Sequence, residues 1–256
     1  LFTLFFQFGI CSSKKSKEIF LPVSVIIAAK NEEENIKACL SSITKQNYPD
    51  FEIILVDDHS IDKTIAFSQT FQAEFPGLKI VKAKNHGKKS AIQQGIRQAQ
   101  NEYLLFTDAD CKPRSVNWIS KMVSYFDQET SFVLGYSPYR FKRNLANYLQ
   151  QYETLLTACL YTSAAHFYRP YMAVGRNLAY RKSVFMKSDQ FKNHLDILSG
   201  DDDLFIQQMA TQTNTKVCLA TDAFVDSKPI KNLRLLFYQK LRHISTADHY
   251  DIKDRF

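Results

Sequence analysis

The sequence predicts an α/β fold, in which a mostly parallel sheet is flanked by helices. Four short apolar runs at even spacing predict the strands, at residues 23–29, 51–56, 78–81 and 103–106. None of these runs alternates with polar residues, a pattern typical of strands that are buried on both faces of a parallel sheet. Helical patterns separate the runs, and this alternation of strand and helix indicates a doubly wound sheet.

Three amphipathic helices are predicted between the strands. Apolar residues recur at helical spacing within residues 33–46, 63–75 and 88–100, least regularly in the second of these segments. Ile36 and Leu40 lie four residues apart and mark the buried face of the first helix. Right-handed crossovers between the parallel strands follow from the twist of the strands.

The pattern changes after residue 110. Helices are expected at residues 115–126, 145–168, 202–212 and 233–244, and strands at 132–136 and 216–220. The chain has no internal repeat and no low-complexity tract. We therefore predict one domain over residues 21–256, in which C-terminal elements extend the sheet.

The composition excludes several classes of protein. Of the 256 residues, 45% are hydrophobic and 23% are charged, so the chain can form a core and is not intrinsically disordered. Its formal net charge of +7 suits an anionic partner such as a phosphate compound or a lipid surface. The basic residues are scattered and no nucleic-acid-binding motif is present, so no nucleic-acid partner is expected. Five cysteines without C-x-x-C spacing indicate neither a disulfide framework nor a zinc site.

The N-terminal segment suggests contact with a membrane. Residues 1–10 are nearly all apolar, and a cluster of lysines follows at residues 14–17. Ten residues cannot span a bilayer, which needs about 20. We interpret residues 1–20 as the end of a truncated membrane helix and a basic juxtamembrane segment, which predicts a protein anchored at the cytoplasmic face of the cell membrane. The alternative is an apolar segment that packs on the domain.

Polar clusters follow each of the four predicted strands. They lie at residues 30–32, 57–62, 85–90 and 107–110. In open α/β sheets ligands bind outside the carboxyl ends of the strands, so these clusters are expected to form one site. The first strand is followed by no glycine-rich loop, and no G-x-x-x-x-G-K-[ST] motif occurs. A Rossmann dehydrogenase and a methyltransferase with a glycine-rich loop are therefore disfavoured, and a P-loop NTPase is excluded.

Two carboxylates of the last cluster can hold a metal ion. Asp108 and Asp110 are two residues apart and directly follow a buried strand. Carboxylate oxygens suit Mg²⁺ or Mn²⁺ better than a soft metal. A divalent cation of this kind bridges a diphosphate and neutralises the charge that develops on it as it leaves.

The first half of the chain resembles glycosyltransferase family 2, which has the GT-A fold. The resemblance rests on VSVIIAAKNEEENI, ILVDDHSIDKT, GKKSAIQQGI and LLFTDAD. It implies that residues 21–111 bind a nucleotide sugar, with the metal and the diphosphate held by Asp108 and Asp110. It also implies that Lys88 lies near the diphosphate. The residues implied to contact the base and ribose are Ala28, Glu32 and Asp58.

The second half, residues 112–256, extends the resemblance to an acceptor-side and catalytic region. Residues 175–181 are similar to the family's G-x-N-x-A-x-R strand, and residues 199–204 to its G-[ED]-D motif. By this resemblance Asp201 and Asp202 are catalytic, and Asp202 is the general base. A carboxylate can take the proton of a sugar hydroxyl, which is a poor nucleophile at neutral pH. The alternative is that these acids only charge a helix N-terminus.

Residues 239–243 resemble the Q-x-x-R-W motif of membrane-bound family members. Gln239 and Arg242 share a helix face, where Arg242 can pair with phosphate oxygens. His243 stands where the family usually has Trp, which favours one or few additions per acceptor over processive synthesis. The alternative is a basic amphipathic helix that lies on a membrane surface.

The resemblance implies an inverting glycosyltransferase that uses Mg²⁺ or Mn²⁺. Its donor would be a nucleotide-diphosphate sugar, its acceptor the hydroxyl of a glycan or a lipid-linked compound, and a membrane surface a further partner. Two alternatives are a nucleotidylyltransferase-like enzyme and a non-catalytic relative that binds a nucleotide sugar. The first would normally carry a glycine-rich basic loop near the first strand, where this chain has KNEEEN.

Overall fold

The computed structural model describes residues 20–191 and 201–247, and the side chains among them except those of Asp201 and residues 242–247. Nine strands are described within these ranges. Their bounds are β1 Val23–Ala29, β2 Phe51–Asp57, β3 Leu78–Lys82, β4 Tyr103–Asp108, β5 Lys112–Pro113, β6 Phe132–Gly135, β7 Leu178–Arg181, β8 Thr215–Cys218 and β9 Val225–Asp226.

Eight α-helices are described in the same ranges. Their bounds are α1 Ile36–Thr44, α2 Thr64–Glu74, α3 Lys88–Gln98, α4 Trp118–Val123, α5 Leu145–Phe167, α6 Lys182–Lys187, α7 Asp201–Met209 and α8 Leu233–Ala247. Two 3₁₀ turns lie at Gly175–Asn177 and Thr221–Ala223. None of the helices within the described ranges is long and apolar enough to cross a membrane.

Seven strands form one sheet in the order β3-β2-β1-β4-β7-β6-β8. Strands β3, β2, β1 and β4 are parallel, β7 is antiparallel to both its neighbours, and β8 is parallel to β6. Strands β5 and β9 form a separate antiparallel pair. The prediction of a mostly parallel sheet that C-terminal elements extend is confirmed, since β6, β7 and β8 add to the sheet beside β4.

The core lies in two layers, one on each face of the sheet. Because side chains alternate along a strand, Val25 and Ile27 face the layer that contains Leu40 of α1, while Ile26 faces the layer that contains Ile96 of α3. All five residues are at most 1% exposed. The predicted strands were uniformly apolar because both faces of the sheet are covered by helices.

Several helices are shorter than the sequence predicts. Helix α1 begins at Ile36 rather than residue 33, because Glu32 and Glu33 donate their backbone N–H groups to the side chains of Thr64 and Asp62. Helix α4 covers only Trp118–Val123, and α7 ends at Met209. The weak pattern of α2 has a structural basis, since its fully buried positions are a threonine and a serine. The start of α1 differs from the prediction because hydrogen bonds to residues distant in the sequence, which periodicity does not show, decide it.

A buried carboxylate joins the strands near the end of the sheet where β1 and β2 begin. Glu52 is 7% exposed and accepts hydrogen bonds from Ser24 Oγ, Lys79 Nζ and the Gln100 backbone N–H, each at 2.7 Å. Burial by itself would raise the pKa of Glu52, but these hydrogen bonds outweigh burial and hold the pKa below its ordinary value. The ionised carboxylate therefore stabilises the fold.

Replacing Glu52 by Ala is expected to lower the free energy of unfolding at pH 7 by about 1–3 kcal/mol, because three donors lose their acceptor. Because the folded pKa is lowered, this contribution is present above the ordinary glutamate pKa of about 4.3 and is lost as the pH falls through the folded pKa. Urea unfolding of both proteins at several pH values measures the difference. Glu74→Ala, at an exposed position of α2, is the control. An equal loss in both variants would contradict the prediction.

Candidate functional site

The carboxyl ends of β1, β2 and β4 lie side by side. Ala28 is paired with Val56 on one side and with Asp108 on the other, and Ala29 is paired with Asp57. Because these strands are parallel and in register, the loops that follow them start from the same edge of the sheet. The prediction that the polar clusters meet at one edge is confirmed for these three strands, and Lys82 of β3 is paired with Asp57.

The loops after β1 and β2 are joined by hydrogen bonds. The Asn31 backbone N–H donates to Ser60 Oγ at 3.0 Å, and Asn31 Oδ1 accepts from the Ile61 backbone N–H at 2.9 Å. Asn31 and His59 both have positive φ angles, 55° and 58°, a conformation that non-glycine residues adopt rarely. These contacts hold the two loops in a defined arrangement around Asp58.

Asp58 is a buried carboxylate that the surrounding chain keeps ionised. It is 5% exposed, and it accepts hydrogen bonds from the Gly87 backbone N–H at 3.0 Å and from Lys30 Nζ at 3.3 Å. Burial by itself would raise the pKa of Asp58, but the hydrogen bonds from Gly87, Lys30 and His59 outweigh burial and lower it. The rings of His59 and His86 stack beside it, with centroids 3.9 Å apart.

Asp108 and Asp110 form a crowded pair of carboxyl groups. Asp108 lies at the end of β4, and its Oδ1 is 2.8 Å from Lys88 Nζ. Burial and the negative charge of Asp108 raise the pKa of Asp110, although its hydrogen bond from Cys111 and the positive charges of Lys88 and Arg176 act in the opposite direction. At Asp110, burial and the neighbouring carboxylate together therefore outweigh the effect of these positive charges.

The donor atoms at this pair suit a hard divalent cation. Carboxylate oxygens of Asp108 and Asp110 and the Cys111 Sγ lie within 4.8 Å of one another. Burial keeps the pKa of the Cys111 thiol well above its ordinary value, and this thiol donates to Asp110 Oδ1 at 3.3 Å. Since a soft metal needs the thiolate, the two carboxylates are the ligands that remain, and they suit Mg²⁺ or Mn²⁺.

Glu32 lies within electrostatic reach of the same pair. The pKa of Glu32 is raised above its ordinary value. Burial and the charges of Asp110 and Asp108 raise it, and together they outweigh the hydrogen bond from Asn35 Nδ2, which lowers it. Its backbone N–H donates to Thr64 Oγ1 at 2.7 Å, which joins the loop after β1 to the start of α2. The sequence resemblance implied that Glu32 contacts the base and ribose, and the structure places its carboxyl group within reach of the charges of Asp110 and Asp108.

Arg176 is a site residue that sequence reasoning did not single out. Its guanidinium donates to Ser137 Oγ at 2.9 Å and to the Ser137 carbonyl at 3.1 Å, and it lies over the Tyr139 ring at 4.9 Å. Its positive charge acts on both Asp110 and Asp108. The motif G-x-N treats this position as variable, so no signal in the motif points to an arginine there.

The turn that carries Arg176 is held by a buried amide. Asn177 is 0% exposed; its Oδ1 accepts from Trp118 Nε1 at 3.0 Å, and its Nδ2 donates to the carbonyls of Tyr136 and Ala223. A Cβ atom on Gly135 would lie 2.5 Å from this amide, so glycine leaves the space that Asn177 fills. Trp118, interpreted from the sequence as a packing residue, is buried and also donates this hydrogen bond.

The N-terminus of α7 is attached to the same turn. Asp202 Oδ2 accepts a hydrogen bond from the Gly175 backbone N–H, and Asp203 Oδ1 accepts one from the Ala173 backbone N–H at 3.3 Å. Gly175 directly precedes Arg176, whose charge acts on the aspartate pair. The structure thus connects Asp202 to the strand-end cluster through two consecutive residues. The side chain of Asp201 lies outside the described residues.

Gln239 of α8 reaches this region through Tyr139. Gln239 Nε2 donates to Tyr139 Oη at 3.3 Å, and Gln239 Oε1 accepts from Gln150 Nε2 at 3.4 Å. Tyr139 in turn packs against Arg176. The side chains of Arg242 and His243, also singled out in the sequence, lie outside the described residues.

A comparison with models of known protein families identifies the family. The model described as "Glycosyl transferase family 2" matches residues 24–188. This chain belongs to glycosyltransferase family 2. The matched segment contains the ends of β1, β2 and β4, the aspartate pair and the turn that carries Arg176.

Curated proteins of related sequence match parts of the chain. Glycosyltransferase AglE of Haloferax volcanii is 30% identical over 183 residues, which are 70% of this chain and 58% of that protein. Poly-beta-1,6-N-acetyl-D-glucosamine synthase of Staphylococcus epidermidis is 36% identical over 92 residues, which are 34% of this chain and 21% of that protein. The chain thus spans little more than half of one relative and about a fifth of the other.

Solved structures share the fold at low sequence identity. The mannosyltransferase PcManGT from Pyrobaculum calidifontis, in complex with GDP-Man and Mn²⁺, has a TM-score of 0.66 and 19% identity, over 98% of this chain and 72% of that chain. S. aureus TarS 1–349, in complex with UDP-GlcNAc, has a TM-score of 0.58 and 18% identity, over 91% of this chain and 68% of that chain. The predicted GT-A architecture is confirmed.

Proposed function

We propose that this protein is an inverting glycosyltransferase that moves a sugar from a nucleotide-diphosphate sugar to an acceptor hydroxyl. The observation that carries the proposal is the connection of Asp202, through Gly175 and Arg176, to the aspartate pair at the strand ends. It joins a candidate base, a candidate diphosphate site and two cationic side chains in one region of a family 2 fold.

The donor is assigned to the carboxyl ends of β1, β2 and β4. The base and ribose would contact Ala28, Glu32 and Asp58, and the ionised carboxylate of Asp58 suits hydrogen bonds from the donor. The diphosphate would lie at Asp108, between the positive charges of Lys88 and Arg176. GDP-Man in PcManGT and UDP-GlcNAc in TarS support a donor of this class.

Asp108 and Asp110 are the residues that would hold Mg²⁺ or Mn²⁺. The raised pKa of Asp110, which burial and the neighbouring Asp108 cause, supports this assignment, since a bound cation favours the ionised form of both carboxyl groups. When bound, the cation neutralises charge on the diphosphate of the donor. Mn²⁺ in the PcManGT complex supports the assignment.

Transfer is proposed to proceed by one in-line displacement. Asp202 takes the proton of the acceptor hydroxyl while the hydroxyl oxygen bonds to the anomeric carbon and the nucleoside diphosphate leaves from the opposite face. The configuration at that carbon therefore inverts. Lys88 and Arg176 offset the negative charge of the departing diphosphate, with Gln239 and Arg242 of α8 as further contacts of the donor. We assign Asp201 a supporting role beside the base.

The acceptor is proposed to be a glycan or a lipid-linked compound at the cytoplasmic face of the cell membrane. The net charge of +7 and the basic residues of α8 support contact with an anionic surface. His243, in place of the usual Trp, supports one or few additions per acceptor.

A screen of nucleotide sugars tests the proposal. The protein is incubated with single donors, including GDP-mannose and UDP-N-acetylglucosamine, in Mn²⁺, in Mg²⁺ and in EDTA, and the released nucleotide is identified. We expect release of a nucleoside diphosphate from one donor, and loss of that release in EDTA. Release of pyrophosphate would indicate a nucleotidylyltransferase instead. Donor binding without release, across a panel of acceptors, would indicate a non-catalytic relative.

A further inference from the structure

Helix α5 carries a row of exposed apolar side chains. The row follows helical spacing, so its members share one face of the helix. Its members are Leu145, Leu149, Tyr152, Leu156 and Leu160, which are 38% to 63% exposed. An amphipathic helix of a globular protein normally presents charged and polar residues to solvent, so this row indicates a binding surface.

Helix α8 carries a second row and packs against α5. Its exposed members are Leu233, Phe237 and Leu241, four residues apart and 47% to 61% exposed. The two helices are joined by the contact of Gln239 with Gln150 and by an ion pair between Lys240 Nζ and Glu153 at 2.6 Å. Both rows therefore belong to neighbouring helices, and we call them together the α5/α8 face.

The segments that form this face carry a strong positive charge. Residues 138–168 and 227–247 contain eight Lys or Arg residues and a single acidic residue, Glu153, a net charge of +7. The rest of the chain is therefore neutral overall, since the whole chain also has a net charge of +7. Glu153 is itself paired with Lys240. Charge complementarity thus selects an anionic partner for the face.

We propose that the α5/α8 face docks on the headgroup region of an anionic lipid bilayer. An anionic bilayer binds protein surfaces on which large apolar side chains lie between basic residues. The apolar side chains insert at the boundary of the acyl chains, and the cationic groups contact the lipid phosphates. This inference deepens the membrane part of the proposed function by naming the face that makes the contact. Gln239 links that face to Tyr139 and Arg176, so docking sets the catalytic region close to the lipid surface.

Vesicle co-sedimentation of the full chain tests the apolar part of the face. The double variant Tyr152→Gln, Leu160→Gln is compared with the control Val116→Gln, Met186→Gln, which changes two exposed apolar residues outside the face. With vesicles of phosphatidylcholine and phosphatidylglycerol we expect the face variant to lower the partition coefficient about tenfold or more. The control is expected to bind as the wild type does. Equal binding of the two variants would overturn the proposal.

The basic residues are tested by the lipid composition. We expect Lys142→Gln with Arg143→Gln to weaken binding to anionic vesicles about tenfold, and to leave the weak binding to pure phosphatidylcholine unchanged. Lys45→Gln with Lys112→Gln removes the same charge from exposed positions outside the face. An equal loss of vesicle binding in the two double variants would show that only the net charge of the protein matters, and would overturn the role of the face.

A fluorescence measurement locates the contact independently of residues 1–10. Tyr152→Trp and Met186→Trp each add a tryptophan at an exposed site, whereas the native Trp118 is buried. Brominated lipid in anionic vesicles is expected to quench the added fluorescence of Tyr152→Trp and not that of Met186→Trp. Absence of quenching at residue 152 would overturn the proposal. A protein that does not bind vesicles but forms a dimer, which the variant Tyr152→Gln, Leu160→Gln disrupts, would also overturn it. The vesicle experiments contain neither donor nor acceptor. Their failure would therefore contradict the membrane contact without contradicting sugar transfer, which the donor screen tests.

Discussion

Replacing Asp202 by Asn is expected to reduce sugar transfer by about 10²- to 10⁴-fold, the usual contribution of a general base. The amide oxygen of the asparagine can still accept the hydrogen bond from the Gly175 N–H, so the turn that carries Arg176 keeps its position. The amide cannot take a proton from the acceptor hydroxyl. Donor affinity should therefore stay within about threefold of the wild type, as measured by calorimetry beside initial rates.

The neighbouring acids provide matched controls for this experiment. Asp203→Asn changes a side chain whose carboxylate contacts the Ala173 N–H, and Asp201→Asn changes the first acid of the same motif. We expect both to retain far more activity than Asp202→Asn. A near-normal rate in Asp202→Asn, together with a large loss in Asp203→Asn, would move the base to the neighbouring residue.

Replacing Asp110 by Asn is expected to have opposite effects on metal binding and on the stability of the metal-free protein. Burial and the charge of Asp108 raise the pKa of Asp110, so its ionised form at neutral pH is unfavourable in the folded state. The amide removes this cost, and the melting temperature without metal should rise or stay equal. A cation at about 100 times its dissociation constant stabilises the wild type by ~2.7 kcal/mol, or roughly 5–10 °C, and this shift should be lost in the variant.

Thermal unfolding with and without Mn²⁺ and donor measures both effects. Asp50→Asn, at an exposed position before β2, is the control and should keep the full metal-dependent shift. An unchanged shift in Asp110→Asn would contradict the assignment of the metal site. Because the pKa of Asp110 is raised, the wild type should lose metal-dependent donor binding on acidification at a higher pH than an ordinary aspartate pair does.

Most of the sheet was predictable because its strands are buried on both faces. Uniform apolar runs such as VSVIIAA indicate such strands with little ambiguity, and the helices between them follow from Ile36, Leu40 and similar spacings. Strand β7 was visible only through the family motif, since four residues that include Tyr180 and Arg181 do not form an apolar run. Helix α1 was predicted to begin three residues too early, because tertiary hydrogen bonds hold the backbone of Glu32 and Glu33 before it.

The candidate site was predicted where it lies at strand ends and in family motifs. Asp58 directly follows β2, and Asp108 and Asp110 lie at the end of β4, so their position at one edge of the sheet follows from parallel register. Arg176 could not be found in this way, because its proximity to the aspartate pair results from the antiparallel pairing of β7 with β4. The role of Asn177 as the buried amide that holds its turn is equally invisible in a linear motif.

The sequence by itself determined the fold class, the family and the edge of the sheet where ligands bind, because these depend on local periodicity and on residues that follow one another along the chain. Tertiary structure alone decided which side chains from the second half of the chain join this edge. It brought Arg176 near Asp110, attached Asp202 to Gly175, and packed helix α8 against helix α5. The physical reason is that electrostatic and apolar contacts act through distance in space, which the order of residues does not specify.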